Sequence, residues 1–292
     1  IITATPTSRQ ILVWTDQALY SMQFLGPPFT FGVSLLGDNI RIAGPNTVVG
    51  VNDTVYWMGQ ENFYVYDGRI QAIPCTVRDY VFNDMNNQQS FKFHGGSISS
   101  QTEVWWFYCS SSSSEIDRYV VYNYTEKAWY YGTLVRTTWN DRATGLRSFP
   151  QATGISTDNY VYNHEDGLDD FSTGNAVAIN AFIESSDFDI GDGQQYMLIN
   201  RILPDLTFNG STANNPSALF TIQSRDFSGD SFAESPSGSA IRTATSPVEQ
   251  YTDQVFVRAR GRQLSIKIEN TATGVKWRLG APRIDVRADG RR

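Results

Sequence analysis

The sequence predicts an all-β protein, and three observations carry that prediction. Aromatic residues make up 13% of the 292 residues and charged residues only 18%, a balance that suits sheets held together by cross-strand aromatic pairs. Short apolar runs alternate with polar residues at a period of two, the period of a half-buried strand. Tight turn signals such as Asp67-Gly68 separate these runs, and only residues 80–89, YVFNDMNNQQ, favour a short helical or irregular connection.

The first part of the chain repeats one kind of unit. Residues 11–25 read as two short strands that meet at a Thr-Asp turn. Aromatic-rich strands then recur around Trp57, Trp106 and, more weakly, Tyr160, at spacings of 49 and 54 residues. Repeats of about 40–50 residues, each made of several strands, are typical of β-propeller blades. We therefore predict a partial β-propeller over residues 1–185.

The character of the chain changes near residue 185. Residues 185–195, SSDFDIGDGQQ, are acidic and contain glycine, and residues 228–247 form a long loop rich in Ser, Gly, Pro and Thr. A strand with a polar face lies between them at 220–227. We predict that residues 186–292 form a C-terminal antiparallel β domain, a sandwich or a barrel-like fold, that serves assembly.

The last stretch, from Gln250 to Arg292, predicts an antiparallel sheet with one apolar and one strongly basic face. The apolar residues from 255 to 261 share one parity and the arginines share the other, and after Gly261 the apolar parity switches. Such a switch beside a glycine predicts a bend. The basic side chains are our candidates for a subunit interface: Arg258, Arg260, Arg262, Lys276, Arg278, Arg283 and Arg287.

Charge is distributed unevenly along the chain. Residues 250–292 contain ten Lys and Arg against four Asp and Glu, a net charge of +6, so a chain of net charge −7 carries −13 over residues 1–249. Three interpretations of the basic face stay open. It pairs with carboxylates of a neighbouring chain, as Arg forks do well; it tracks nucleic-acid phosphates through Arg258, Arg260 and Arg262; or it is a solvated surface.

The sequence contains no recognisable catalytic or metal-binding motif. The chain has two histidines; His94 has no acid beside it, and His164-Glu165-Asp166 reads as a solvated acidic turn. The aspartates of 166–170 and 187–192 allow calcium binding or ordinary turn chemistry, without the full spacing of a calcium loop. Cys75 and Cys109 read as free thiols, and no apolar run reaches 18 residues. We predict no catalytic residue, no metal, no cofactor, no membrane span and no enzymatic activity.

Long phrases of the sequence resemble the nozzle, or packaged-DNA stabilisation, proteins of short-tailed bacteriophages. They occur in order over nearly the whole chain: WTDQALYSMQFLGPPFTF (14–31), YWMGQENFYVYDG (56–68), IPCTVRDYVFNDMN (73–86), RILPDLTFNGS (201–211), EQYTDQVFVRARGRQLSIKI (249–268) and WRLGAPRIDVRADGRR (277–292). Members of that family extend further at the N-terminus, so the resemblance implies that an N-terminal part of the propeller is missing from this sequence.

The resemblance implies a virion component at the distal end of a phage tail, assembled in the host cytoplasm. Such a protein forms a homohexameric ring that closes and lines the DNA channel, retains the packaged double-stranded DNA and lets it pass on ejection without sequence-specific binding. Its implied partners are the tail adaptor that connects head to tail and the tail fibre, spike or needle proteins that serve host attachment.

A different class of function stays open beside this one. A carbohydrate-binding or glycan-degrading propeller of a phage tail would also be rich in Trp and Tyr. That alternative requires exposed aromatic rings beside a pair of carboxylates in one pocket.

Overall fold

The prediction of an all-β chain is confirmed. The protein is described by a computed structural model that covers residues 1–143, 151–230, 232 and 243–291, and these residues lie mostly in antiparallel strands. They form two compact units, Ile1–Asp166 and Gly167–Arg292.

The first unit is built from sheets whose strands follow one another in the chain, which is the up-and-down order of propeller blades. The first blade consists of β1 (Thr3–Pro6), β2 (Ile11–Trp14), β3 (Leu19–Phe24) and β4 (Phe31–Gly37). The second consists of β5 (Val48–Val51), β6 (Thr54–Met58), β7 (Phe63–Tyr66) and β8 (Ile70–Ile73). Helix α1 (Arg78–Asp84) and a 3-10 helix (Asn87–Lys92) follow, where the sequence predicted the helical connection.

The third blade contains a further 3-10 helix (Ser99–Gln101) between its first two strands. Its strands are β9 (His94–Ile98), β10 (Glu103–Tyr108), β11 (Arg118–Asn123) and β12 (Ala128–Thr133). A fourth, three-stranded sheet consists of β13 (Thr138–Ala143), β14 (Gln151–Ile155) and β15 (Val161–Asn163).

The first strands of successive blades lie side by side. β9 contacts both β5 and β13, and the amide N of Gly95 donates to the carbonyl O of Asn46 at 2.8 Å. A Cβ on Gly95 would collide with Val49, and one on Gly96 with the ring of Trp139. The two glycines of β9 therefore allow the inner strands of three sheets to approach one another, an approach that any larger side chain would prevent.

Aromatic side chains fill the space between the blades. Trp57 in β6 and Trp106 in β10 are fully buried at the equivalent position of their strands. Trp57 packs against Trp14 of the first blade at 5.4 Å, and Trp106 packs against Phe63 of the second at 4.9 Å between ring centroids. The aromatic runs around Trp57 and Trp106 are thus part of the inter-blade core, as expected of a propeller, whereas Tyr160 of the weaker third run is 67% exposed.

The first blade is covered on one face only. Leu12, Trp14 and Leu19 are buried toward the second blade, whereas the apolar residues of the opposite parity are half-buried or exposed. The most exposed of these are Phe24 (71%), Phe31 (56%), Val33 (66%) and Leu35 (55%). The stack of blades is therefore open at this end.

The second unit contains a β-sandwich. One sheet has the order β18–β24–β21–β22 and the other β23–β19–β26, and the pairs β16–β17 and β20–β25 form small sheets beside them. The strands are β16 (Asp169–Asp170), β17 (Val177–Ala178), β18 (Ala181–Glu184), β19 (Met197–Leu203), β20 (Leu206–Thr207), β21 (Ser217–Arg225), β22 (Thr243–Glu249), β23 (Val255–Gly261), β24 (Gln263–Asn270), β25 (Arg278–Leu279) and β26 (Arg283–Ala288).

The two main sheets of this unit share one core of inward-facing residues. Ile199 and Ala259 come from one sheet, and Phe220, Ile222 and Ile268 come from the other. The structure divides after Asp166, whereas the sequence suggested a division between residues 185 and 186. The reason is that β18 pairs with β24 and so belongs to the sandwich.

The basic C-terminal stretch does not form the single sheet that its alternation predicted, and this prediction is corrected. β23 and β26 flank β19 in one sheet, β24 lies in the other sheet, and β25 pairs with β20 in a small separate sheet. The alternation shows that each segment is a strand but carries no information about which strand it pairs with.

The predicted bend at Gly261 is present, and the chain passes there from one sheet of the sandwich to the other. A Cβ on Gly261 would lie 2.8 Å from the Ser224 Cβ and 3.0 Å from the Arg225 carbonyl O.

Replacing Gly261 with Ala is expected to destabilise the protein by about 1–3 kcal/mol, because the corner is already close-packed. Gly50→Ala is the matched control, since a Cβ on Gly50 meets no atom within 4 Å. Urea unfolding followed by tryptophan fluorescence compares the two variants. Equal midpoints would show that the corner tolerates the extra methyl group.

Candidate functional site

Five arginines share the outer face of the sheet β23–β19–β26, and we call this surface the arginine face. They are Arg201, Arg258, Arg260, Arg283 and Arg287, all exposed. Strand pairing aligns Arg260 and Arg287 across Leu198 of the central strand, and Arg283 opposite Leu203. A flat antiparallel sheet therefore presents several guanidinium groups in one direction.

Few acids balance this surface. Arg201 lies 3.7 Å from Asp285, and Arg260 lies 2.5 Å from Asp289. Within the described part of the chain, Arg258, Arg283 and Arg287 form no ion pair. The exposed ring of Phe256 lies on the same face, opposite Arg201. Guanidinium groups around an exposed aromatic ring form a surface suited to bidentate recognition of carboxylates or phosphates.

Two of the arginines predicted to form the basic face, Arg260 and Arg262, pack against aromatic rings of the second unit. Arg262 lies beyond the bend, with its guanidinium 5.1 Å from the ring centres of both Tyr196 and Phe227. Arg260 also stacks on Tyr196, at 4.1 Å, while remaining exposed. Arg262 thus contributes to packing, and the prediction that three alternating arginines share one surface is corrected to Arg258 and Arg260.

Lys276 and Arg278 lie elsewhere, before and in β25, which pairs with β20. They do not join the arginine face. Arg201, which sequence reasoning missed, belongs to it because β19 is the central strand. In the run RILPDL one arginine stands among apolar residues, which indicates that its side chain points away from the core. Its partners in the sheet lie some 50 to 90 residues further along the chain, so the sequence does not reveal which basic residues surround it.

The propeller contains a second polar site, between the third blade and the fourth sheet. The Glu103 carboxylate accepts hydrogen bonds from the Trp105 indole at 2.9 Å and from the Tyr130 hydroxyl. Burial raises the pKa of Glu103, as does the charge of nearby Glu165, and burial also raises the pKa of Glu165. The effect of Glu165 on Glu103 indicates that the two carboxylates are near each other, and the glycan-degrading alternative requires such a pair.

His164 lies in the same region and is not the solvated turn residue that the sequence suggested. Its Nε2 accepts a hydrogen bond from the Arg136 Nε at 3.0 Å, and its ring lies 4.5 Å from that of Trp139. Burial, followed by the Arg136 charge, lowers the pKa of His164 to about 4. The imidazole is therefore neutral near pH 7 and serves as an acceptor.

The free energy of unfolding should fall as the pH drops from about 6.5 toward 4. In this range the imidazole of the unfolded chain binds a proton, whereas the imidazole of folded His164 stays neutral. The contribution of His164 to stability is complete above the pKa that its imidazole has in the unfolded chain. It is lost as the pH falls toward the lower pKa that the imidazole has in the folded protein. Urea midpoints at pH 7 and pH 5 measure the effect. His164→Gln keeps an acceptor for Arg136 and leaves Glu103, Glu165 and Tyr130 in place, so its midpoint should depend less on pH. An unchanged pH dependence in this variant would contradict the assignment.

A cleft of about 560 Å³ opens where the chain enters the inner strands β5, β9 and β13. Phe91 and Trp139 contribute aromatic surface, and Glu115 is the one carboxylate among the described residues that line it. Neither Glu103 nor Glu165 lines this cleft, and the aromatic rings beside Glu103 are those of Trp105 and Tyr130.

The acidic turns have structural partners. The Asp169 carboxylate accepts hydrogen bonds from the Gly274 amide at 2.8 and 3.0 Å, and Asp187 pairs with Arg225. The described residues contain no group of three or more side chains suited to a metal ion. Cys75 and Cys109 are free, and burial raises the pKa of each thiol to about 11. No described helix has both the length and the apolar character needed to cross a membrane.

Comparisons with known proteins give weak likenesses. No family model and no curated protein matches the chain. Among solved structures, the exo-β-1,3-galactanase of Phanerochaete chrysosporium with galactose is 11% identical with a TM-score of 0.28, the match covering 94% of this chain and 78% of that one. A variant of that enzyme with β-1,3-galactotriose has the same identity and coverage and a TM-score of 0.30. A structure described as a glycoside hydrolase is 10% identical, with a TM-score of 0.27 and coverage of 97% and 83%.

These matches correct one prediction. We predicted that the chain is not an enzyme, and that prediction is wrong on this finding, because the solved structures it matches are glycoside hydrolases. The lack of a familiar motif gave no ground to exclude catalysis, since carboxylate pairs leave no fixed spacing in a sequence. Likenesses at this level assign neither a substrate nor a reaction to the chain.

Proposed function

We propose that this chain is a structural protein of a short bacteriophage tail, the ring-forming nozzle that closes and lines the DNA channel. The arginine face is the observation that carries the proposal. Arg258, Arg283 and Arg287 are exposed and form no ion pair with any described residue. Such arginines suit contact with an acidic surface of a neighbouring subunit or of the tail adaptor. The ordered phrases shared with the nozzle family support the same assignment.

The charge of the propeller supports a DNA conduit. Residues 1–166 contain ten Lys and Arg against fifteen Asp and Glu, a net charge of −5. A negative wall repels the phosphate backbone, so a duplex passes without adhering. On this proposal the protein retains DNA by closing the channel and does not bind it with sequence specificity.

Salt dependence of self-association tests the proposal. Sedimentation velocity of the purified chain should show assemblies at low ionic strength that dissociate as salt rises, because exposed charge pairs are screened. A gel-shift assay with duplex DNA should show no specific complex. Assemblies insensitive to salt, or tight DNA binding through the arginine face, would contradict the proposal.

The second candidate function is recognition of a host-surface glycan by the propeller, which the cleft at the inner strands favours. It is compatible with the first, because the cleft and the arginine face belong to different units. Co-sedimentation with a panel of purified bacterial lipopolysaccharides and capsular polysaccharides, with an assay for released reducing ends, tests binding and cleavage separately. A protein that binds none of the panel would contradict this candidate.

A further inference from the structure

We propose that the cleft at the inner strands binds one neutral hexose ring of a glycan, an inference that rests on the second candidate function. Three successive sheets contribute to the cleft at the points where their inner strands begin. Its volume of about 560 Å³ falls in the usual range of small-ligand sites.

The walls of the cleft combine aromatic and hydrogen-bonding surface. The ring of Phe91 is 61% exposed although it belongs to an ordered 3-10 helix. Asn46 and Thr138 are exposed, and neither side chain forms a hydrogen bond with another described residue. An aromatic ring beside amide and hydroxyl groups matches a pyranose, which has an apolar C–H face and hydroxyl groups around its edge.

An ion pair at the rim determines the charge that the cleft accepts. The Lys92 Nζ lies 2.6 Å from the Glu115 carboxylate and donates to the Ser114 carbonyl O at 2.7 Å. The two charges cancel, so the cleft has no net attraction for an anion such as a phosphate. The remaining lone pairs of the Glu115 carboxylate can accept hydrogen bonds from sugar hydroxyl groups.

Two polar atoms behind the wall of the cleft lack a hydrogen-bond partner among the described residues. His94 is 9% exposed and its ring is stacked on Phe107 at 4.9 Å. Its Nδ1 lies 3.3 Å from the Lys92 carbonyl O, but its Nε2 has no partner among the described residues, and neither has the Trp139 Nε1. Both atoms are shielded from solvent, and the Trp139 Nε1 faces Gly96 and not the cleft, so a sugar ring in the cleft contacts neither atom in this conformation.

Saturation-transfer NMR with the whole 292-residue chain tests the site, using methyl β-glucoside, methyl β-galactoside and methyl N-acetyl-β-glucosaminide as probes. At least one probe should bind, and Phe91→Ala and Asn46→Ala should each weaken its binding by about tenfold, as loss of a central contact does. Phe24→Ala is the matched control, because that ring is 71% exposed on the first blade. Thermal unfolding checks that each variant is folded.

Different outcomes separate this inference from the function on which it rests. If polysaccharide binds and neither cleft variant changes the affinity, the site is wrong and glycan recognition stands. If polysaccharide binds, both variants weaken that binding and no methyl glycoside binds, the cleft recognises more than one sugar ring. The inference that it binds a single hexose ring then fails. If neither polysaccharide nor glycoside binds, both fail.

Discussion

Replacing Arg258 and Arg287 with Glu is expected to abolish ring assembly, the largest effect that the proposed function predicts. Each side chain lies on the arginine face without a carboxylate partner in the described part of the chain. Reversing its charge sets it against the acidic surface that we propose it contacts, where like charges cost several kcal/mol. Mass photometry of the double variant should show monomers where the unchanged protein shows assemblies.

A matched pair of substitutions on the propeller controls for net charge. Arg9 and Arg69 are exposed in the first unit, and changing both to Glu alters the total charge by the same amount. This control should still assemble. If both double variants assemble equally well, the arginine face is merely solvated; if only duplex binding is lost, the nucleic-acid interpretation replaces ours.

Trp106→Ala is expected to cause the largest loss of stability, about 3–5 kcal/mol, as large-to-small core substitutions do. The side chain is fully buried, its indole donates to the Thr47 carbonyl O at 2.9 Å, and its ring packs on Phe63. The substitution therefore opens a cavity between the second and third blades and removes the shorter of two hydrogen bonds that the Thr47 carbonyl O accepts, the other coming from the Met58 amide.

Urea unfolding measures this loss, with Tyr160→Ala as the exposed control. Tyr160 is 67% exposed, so its truncation should change the free energy of unfolding little. A Trp106→Ala protein as stable as the control would show that the blades are not held together by this aromatic core.

The fold could be predicted from the sequence wherever local patterns determine the outcome. β7 and β8 meet at Asp67-Gly68, where the sequence predicts a tight turn. β9 was missed, since HGGSI has neither the apolar alternation nor the aromatic content of the other strands. Val49 packs directly on Gly95 and Trp139 on Gly96, so neither position has room for a side chain. The sequence of β9 alone does not show that these two residues lie against it.

The candidate site was less predictable because it depends on strand partners distant in the chain. Period-two alternation correctly placed Arg258, Arg260, Arg283 and Arg287 on outward faces, but it could not separate Lys276 and Arg278 from them. Nor could it add Arg201, whose neighbours in the sheet are Phe256 and Asp285. His164 resembled a turn residue in the sequence and is enclosed only once Arg136 and Trp139 fold against it.

Electron microscopy of the purified chain at low ionic strength tests the central proposal most directly. We predict closed six-membered rings around an open channel, and we predict that Arg258→Glu/Arg287→Glu removes them while the charge-matched control retains them. A protein that stays monomeric at every concentration and ionic strength, or that grows into open filaments, would contradict the proposal that it forms the nozzle of a tail.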